Sequence, residues 1–113
     1  MTIKEHVHGK VVTISLCGSL LGEPATSDLR QTVYRLLGEN KRKFVLDLGE
    51  LKFINSMGLG AFIASLISVR TRGGDICLAR IRDKVEAVIM VTKLFKAFRL
   101  YETVQRAIGS YNK

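Results

Sequence analysis

Apolar residues recur at two different periods along the chain, and the change of period separates predicted strands from predicted helices. Residues 3–8 and 10–17 predict two strands, because apolar and polar side chains alternate with period two in the second segment. Phe44 to Leu48 is a short apolar run typical of a strand buried on both faces, and a second apolar piece, Leu51 to Ile54, follows it. After Met57 the spacing changes to three and four residues, which predicts a helix whose apolar face carries Leu59, Phe62, Ile63, Leu66 and Ile67.

The rest of the chain continues this alternation. Residues 18–25 predict a loop, and Ser27 is predicted to cap a helix that ends near Gly38. The helix after Met57 is predicted to end at about Thr71 or Arg72, before a turn at Gly73-Gly74. The later predicted elements are a strand at 75–80, a helix opened by an Asp83–Glu86 capping pair, a short strand at 98–101 and a helix at 102–108. Strands that alternate with helices imply parallel pairing through right-handed crossovers, so the sequence predicts an α/β fold.

The junction between Ile54 and the following helix carries the most distinctive residues. Asn55 and Ser56 are both good helix N-cap residues, so Ser56 is predicted to lie where a strand-rich segment meets a helix N-terminus. Gly58 and Gly60 have no side chains, so other backbone can approach the junction closely.

From Phe44 to Ile63 the chain reads FVLDLGELKFINSMGLGAFI, and this stretch resembles the signature of STAS-domain anti-sigma-factor antagonists. The resemblance extends over nearly the whole chain, so residues 1–113 are predicted to form a single STAS domain. It implies a mostly parallel central sheet of four to five strands, an N-terminal antiparallel strand and about four helices. The resemblance also identifies Ser56 as the residue that a partner kinase would phosphorylate. Asn55 stands where the best-known family members carry Asp.

The same resemblance implies a switching function. The unphosphorylated protein would bind an anti-sigma factor that is also a histidine-kinase-like Ser kinase, and so free a sigma factor. Phosphorylation of Ser56 would release that partner, and a metal-dependent Ser phosphatase of the PP2C type would reset the switch. ATP would belong to the kinase, and no cofactor is expected. The predicted partner-binding residues are Ser19, Leu20, Leu21, Gly22, Glu23, Asn55, Ser56, Met57, Gly58 and Leu59.

Alternatives remain open at two places in this hypothesis. Leu20 and Leu21 are either exposed partner contacts or core anchors of the loop. Within the family, the main alternative function is a non-switching scaffold subunit of a stress-signalling or lipid-transport complex, with Ser56 as a structural residue.

Ser56 itself admits three interpretations. It is a simple helix cap, a catalytic nucleophile at a strand-to-helix turn, or a regulatory phosphorylation site. A nucleophile needs a general base and an orienting acid, yet the chain has only two His residues, His6 and His8, on the distant first strand. The nucleophile-turn motif also requires a Gly two positions before the Ser, where Ile54 stands. The sequence therefore argues against an enzyme.

Composition and charge narrow the function further. The net charge is +8, from 18 Lys and Arg against 10 Asp and Glu, which admits an anionic surface as a partner. The basic residues are dispersed apart from the run Lys41 to Lys43, and no aromatic residues interleave with that run. The run Lys41 to Lys43 is predicted to be a solvated turn before a strand. We therefore expect an ordinary basic surface that could match an acidic protein partner, with direct binding to nucleic acid or membrane as the competing hypothesis. A monomer or weak dimer is expected.

The remaining candidate chemistry is sparse. No apolar run approaches the ~20 residues that cross a bilayer, and the N-terminus has no apolar signal-peptide core, so membrane insertion is not expected and a cytoplasmic location is. Cys17 and Cys77 lie in strand-like runs without metal-type spacing and are predicted to be reduced and packed. His6 and His8 are predicted to face solvent on an edge strand rather than to bind a metal.

Overall fold

Strands and helices alternate along the computed structural model, which describes residues 1–112. Within these residues, six strands form a single mixed sheet and four α-helices pack against it. The strands are β1 (Thr2–His8), β2 (Val11–Leu20), β3 (Lys43–Asp47), β4 (Leu51–Ile54), β5 (Asp75–Ala79) and β6 (Arg99–Tyr101). The helices are α1 (Ala25–Gly38), α2 (Ser56–Thr71), α3 (Asp83–Val91) and α4 (Val104–Ser110), and a 3-10 turn spans Leu94–Lys96.

The sheet has the order β1-β2-β3-β5-β6, and β4 pairs with the far end of β2. β1 and β2 are antiparallel, whereas every other pair is parallel. β2 can pair with both β3 and β4 because its register shifts between Gly18 and Ser19, at an irregularity of the β-bulge kind. This topology confirms the predicted mostly parallel α/β sheet with an N-terminal antiparallel strand.

Helices cover both faces of the central strands, and this explains the continuous apolar run of β3. Phe44 and Leu46 belong to the large core under α1, α2 and α3, whereas Val45 belongs to a smaller core under α4. A strand covered on both faces needs apolar side chains at successive positions, as the sequence indicated. The smaller core consists of Val11, Val45, Cys77, Ala79 and Ala107.

Two predicted helix starts and one loop were wrong. Residues 18–20 extend β2, so the loop is shorter than predicted. α1 begins at Ala25 after Pro24, and the Ser27 hydroxyl donates to the Glu23 carboxylate instead of capping the helix. Pro suits a helix start because it lacks the N–H that would otherwise be left without a partner there. α3 begins at Asp83 itself, and no side-chain cap bond forms there, so the predicted Asp83–Glu86 capping pair is absent.

The predicted apolar face of α2 was also partly wrong. Phe62 and Leu66 are buried as expected, but Ile67 is 60% exposed. The buried side instead follows Ala61, Phe62, Ser65, Leu66 and Val69. α2 packs against α1 as well as against the sheet, which rotates the buried stripe away from Ile67.

Candidate functional site

Pairing of β4 with β2 brings the loop before α1 beside the start of α2. Ser19 lies opposite Phe53, and Leu20 lies opposite Ile54 in the parallel ladder. The chain then leaves β2 into residues 21–24 and leaves β4 into Asn55. Two segments far apart in the sequence thus meet at the carboxyl ends of neighbouring strands.

Asn55 is the residue that fastens these two segments together. Its side-chain oxygen Oδ1 accepts a hydrogen bond of 3.1 Å from the backbone N–H of Gly58, which makes Asn55 the N-cap of α2. Its amide nitrogen Nδ2 donates a hydrogen bond of 2.7 Å to the carbonyl oxygen of Leu21. One amide therefore caps the helix and holds the neighbouring loop. A carboxylate at this position has no proton to donate to Leu21 when it is ionised.

Gly58 makes the close approach between α2 and β2 sterically feasible. A methyl group on Gly58 would lie 2.7 Å from Cγ1 of Ile54 and closer still to the carbonyl oxygen of Leu20. Gly60, two residues later, has open space around the equivalent position. The expectation of close backbone approach is therefore confirmed at Gly58 and wrong at Gly60.

Ser56 occupies the first turn of α2 with its side chain exposed. Because Asn55 already caps the helix, the interpretation of Ser56 as a helix cap is excluded. Within residues 1–112 the Ser56 hydroxyl forms no hydrogen bond with another protein group, and the first turn of α2 contains no acidic residue. The hydroxyl is therefore accessible to a reacting partner.

The loop before α1 places apolar groups next to this hydroxyl. Leu21 is 49% exposed and Met57 is 54% exposed. The thioether of Met57 lies over Gly22, since a side chain added to Gly22 would meet Sδ of Met57 at 3.6 Å. Leu21 and Met57 thus give the surface beside Ser56 two exposed apolar side chains that a protein partner could cover.

Glu23 stabilises the same loop by hydrogen bonding into the first turn of α1. Ser27 and Thr26 both donate their hydroxyls to its carboxylate, and Arg30 lies 3.8 Å away. These hydrogen bonds from Ser27 and Thr26, followed by the charge of Arg30, lower the pKa of the Glu23 carboxyl below its ordinary value of 4.5. Glu23 is therefore ionised, and its negative charge is partly neutralised by its neighbours.

The structure divides the predicted contact residues by accessibility. Leu20 is buried in the core and Gly58 is also buried, so neither offers a side chain to a partner. Ser19, Gly22 and Leu59 are half-buried. The residues with exposed side chains are Leu21, Glu23, Asn55, Ser56 and Met57. The alternatives left open for the loop thus separate, with Leu20 as the core anchor and Leu21 as the exposed residue.

Sequence reasoning missed one exposed aromatic residue, Phe53 on β4, which lies opposite Ser19 in the β2–β4 ladder. Its ring is 43% exposed, and Nζ of Lys84 lies 4.6 Å from the ring centroid. This geometry is a cation–π contact between β4 and α3. The segment Leu51–Ile54 was treated as one apolar piece, although the intervening Lys52 signals that part of it faces solvent.

The other candidate residues form no second site. His6 and His8 are exposed on β1, an edge strand, as predicted. Among residues 1–112, no three His, Cys, Asp or Glu side chains lie close enough to hold a metal ion. Cys77 is fully buried, and burial raises the pKa of its thiol; Cys17 is half-buried. In the described part of the chain, none of the helices has the length and apolar character required to traverse a bilayer.

Comparison with known proteins identifies the family of this fold. The family model for the STAS domain matches residues 2–107. The chain belongs to the STAS-domain family. The sheet order, the position of α2 after β4 and the resemblance first noticed around Ser56 all agree with that membership.

Individual relatives of this STAS domain add detail. A candidate anti-sigma factor antagonist of Thermotoga maritima is 31% identical to this chain over 72 residues. The match covers 64% of this chain and 64% of that relative, which is less than two thirds of the relative's length. The crystal structure of such a protein from the same organism has a TM-score of 0.90 at 23% identity, covering 98% of this chain and 95% of that one. The phosphorylated form of the Bacillus cell fate determinant SpoIIAA has a TM-score of 0.76 at 18% identity, covering 97% and 99%. Below 25% identity these likenesses show a shared fold.

Proposed function

We propose that this STAS domain is an anti-sigma-factor antagonist that acts by binding and is controlled by phosphorylation of Ser56. The unphosphorylated form binds an anti-sigma factor that is also a histidine-kinase-like Ser kinase, and thereby frees a sigma factor. Phosphorylation by that kinase releases the partner, and a PP2C-type phosphatase restores the binding form. The protein works in the cytoplasm, without a cofactor and without direct contact to nucleic acid.

The observation that carries this proposal is the exposed hydroxyl of Ser56, which has no hydrogen-bond partner among residues 1–112. A Ser at the start of a helix ordinarily uses its hydroxyl oxygen to accept a capping hydrogen bond from a backbone N–H of the first turn. A hydroxyl that is engaged in this way is a poor target for a kinase. Here Asn55 supplies the cap through its 3.1 Å bond to Gly58. Ser56 is therefore not needed as the cap, and it lies beside the exposed apolar side chains of Leu21 and Met57. The names of the relatives from Thermotoga maritima and Bacillus agree with this role.

The site can accept a phosphate without disrupting the fold. A phosphoserine adds roughly −1.5 to −2 charges at neutral pH. At the start of α2 it meets the positive end of the helix dipole and the N–H groups that the Asn55 cap leaves without a partner within residues 1–112, and no acidic residue of that turn repels it. The native state is therefore retained after modification, and the change is confined to the surface.

The same phosphate would strongly disfavour a bound partner. A partner that covers Leu21 and Met57 must also cover Ser56, because the three groups lie at one junction. After phosphorylation, the same partner would have to desolvate the phosphate dianion although it offers no new positive charge to pair with it. Loss of about 3 kcal/mol of binding free energy weakens a complex more than a hundredfold. Charge alone is then sufficient for release.

A capture experiment from the native cytosol tests the proposal. The baits are the wild type, Ser56→Ala and Ser56→Glu, together with Gln105→Glu, which adds the same charge on exposed α4. We expect the wild type, Ser56→Ala and Gln105→Glu to retain a histidine-kinase-like ATPase, and Ser56→Glu to lose it. Equal capture by all four folded baits would contradict the switch and favour the scaffold function.

A further inference from the structure

A groove at the opposite end of the sheet is lined by residues that include four cations. It has a volume of about 340 Å³ and lies between the β1–β2 turn and the connection from α1 to β3. Its lining residues are Gly9, Lys10, Asn40, Lys41, Arg42 and Lys43. Acidic side chains are absent from this set. The run Lys41 to Lys43, which looked like an ordinary solvated turn in the sequence, is thus joined by a fourth cation from another part of the chain.

The fold fixes the positions of these cations through its backbone pairing. Val11 lies opposite Lys43 in the parallel ladder between β2 and β3, so Lys10 is held next to the start of β3. Arg42 is held by its own hydrogen bonds, at 2.9 Å to the Leu37 carbonyl oxygen and at 3.2 Å to that of Arg72. Both turns are therefore anchored to the folded core, and the groove between them is preformed.

The positive charge of this groove is not neutralised within the protein. Lys10, Lys41, Arg42 and Lys43 form no ion pair with any residue of the part of the chain that the structure describes. Asp75 lies opposite Lys43 in the sheet register, but its carboxylate already pairs with two arginines. Those arginines are Arg70 at 3.0 Å and Arg99 at 3.4 Å. The Arg42 guanidinium donates to three backbone carbonyl oxygens and Lys43 Nζ lies 3.5 Å from that of Tyr111, so Lys10 and Lys41 supply the freer ammonium groups. Four neighbouring positive charges without a carboxylate partner attract an anion.

We propose that this groove binds a compact anion that carries several phosphate groups. Its volume is at the small end of ligand pockets, which favours a compact ligand over a polymer. Lysine side chains are common phosphate ligands, and their flexible ammonium groups adapt to several oxygen positions. No aromatic residue lines the groove, so nucleic-acid bases have nothing to stack on. Its lining also lacks exposed aliphatic or aromatic side chains that would insert into a membrane.

The groove is separate from the Ser56 surface. It opens at the amino-terminal ends of parallel strands, where β3 begins at Lys43, whereas Asn55 follows the carboxyl end of β4. Both surfaces can be occupied at once. The inference therefore does not depend on the proposed function of Ser56.

Isothermal titration with sodium tripolyphosphate at constant ionic strength tests the proposal. The site variant is Lys10→Gln with Lys41→Gln, because neither ammonium group makes a hydrogen bond within residues 1–112. The control is Lys93→Gln with Lys96→Gln, which removes the same charge from two exposed lysines elsewhere. We expect saturable one-site binding that is at least about tenfold weaker in the site variant, because charge-assisted hydrogen bonds are lost. The control should bind as the wild type does.

Amide chemical shifts recorded in the same titration locate the ligand. Changes are expected in residues 9–10 and 40–43 and not in residues 55–59. Absence of saturable binding, or equal weakening by the two double variants, would overturn the proposal. The proposal would also be overturned if the protein sedimented with phosphatidylglycerol vesicles, or captured single-stranded RNA, but did not bind tripolyphosphate. Either result would assign the cations to binding an extended anionic surface.

Discussion

Gly58 and Gly60 provide a matched pair of substitutions that should change stability in opposite directions. At Gly58 a new methyl group would contact the Leu20 carbonyl oxygen and lie 2.7 Å from Cγ1 of Ile54. Relief of this contact would require the backbone of β2 to move. Overpacking of this kind costs about 3 kcal/mol at the upper end of its usual range. The gain in helix propensity from Gly to Ala recovers at most ~1 kcal/mol. Gly58→Ala should therefore destabilise the protein by about 2 kcal/mol.

At Gly60 the same methyl group has open space, so only the propensity term remains. Gly60→Ala should stabilise the protein by about 0.5–1 kcal/mol. Urea unfolding followed by circular dichroism measures both values. For a chain of this length 1 kcal/mol corresponds to ~4 °C in Tm, so thermal scans should separate the two variants by about 10–12 °C. Changes of the same sign and size in both variants would refute the steric argument at Gly58.

Three further predictions follow from the junction and from the cysteines. Asn55→Ala removes the helix cap and the bond to Leu21 and should destabilise by about 1–3 kcal/mol in urea unfolding, whereas Asn55→Asp should keep the cap and remain within about 1 kcal/mol of the wild type; equal loss in both would show that the Leu21 bond dominates. The Glu23 carboxyl should titrate below 4.5 in an NMR experiment. Because its folded pKa is lowered, its stabilising effect is present above the unfolded value and is lost as pH falls through the folded value, and Glu23→Gln should remove that pH dependence. A thiol reagent should modify half-buried Cys17 before Cys77, whose burial keeps the thiol protonated and inaccessible; simultaneous modification would indicate unfolding.

Much of the fold was predictable because it follows from local patterns of apolar residues. The continuous apolar run at Phe44 anticipated a strand with helices on both faces, and β3 is such a strand. The end of α2 at Thr71 was predicted from the two glycines that follow it, and Gly73 adopts the left-handed conformation that such a stop requires, with φ of +86°.

The features that were not predictable depend on tertiary contacts. Asn55 and Ser56 are equally good caps by residue type, and only the extended backbone at Asn55, with φ of −122°, decides between them. Ser27 is not a cap because α1 begins two residues earlier, at Ala25, and this local difference was not evident from residue type. Gly58 and Gly60 are indistinguishable in the sequence, since the difference between them is the position of β2. The basic groove likewise depends on the pairing of β2 with β3.

The amide of Asn55 has a further consequence for how clearly the Ser56 surface can signal its state. An aspartate cap would give the unmodified junction a permanent negative charge, so phosphorylation would only increase a charge already present. Here the cap is neutral and the first turn of α2 contains no acid, so the unmodified junction has no net charge. Addition of roughly two negative charges by a phosphate is then the only electrostatic difference between the two states of this junction. Outside the junction the surface carries the ionised Glu23, which Arg30 partly neutralises, and this charge is the same in both states. A partner that senses charge would therefore detect a difference at Ser56 alone, and its binding would follow the phosphorylated fraction of the population.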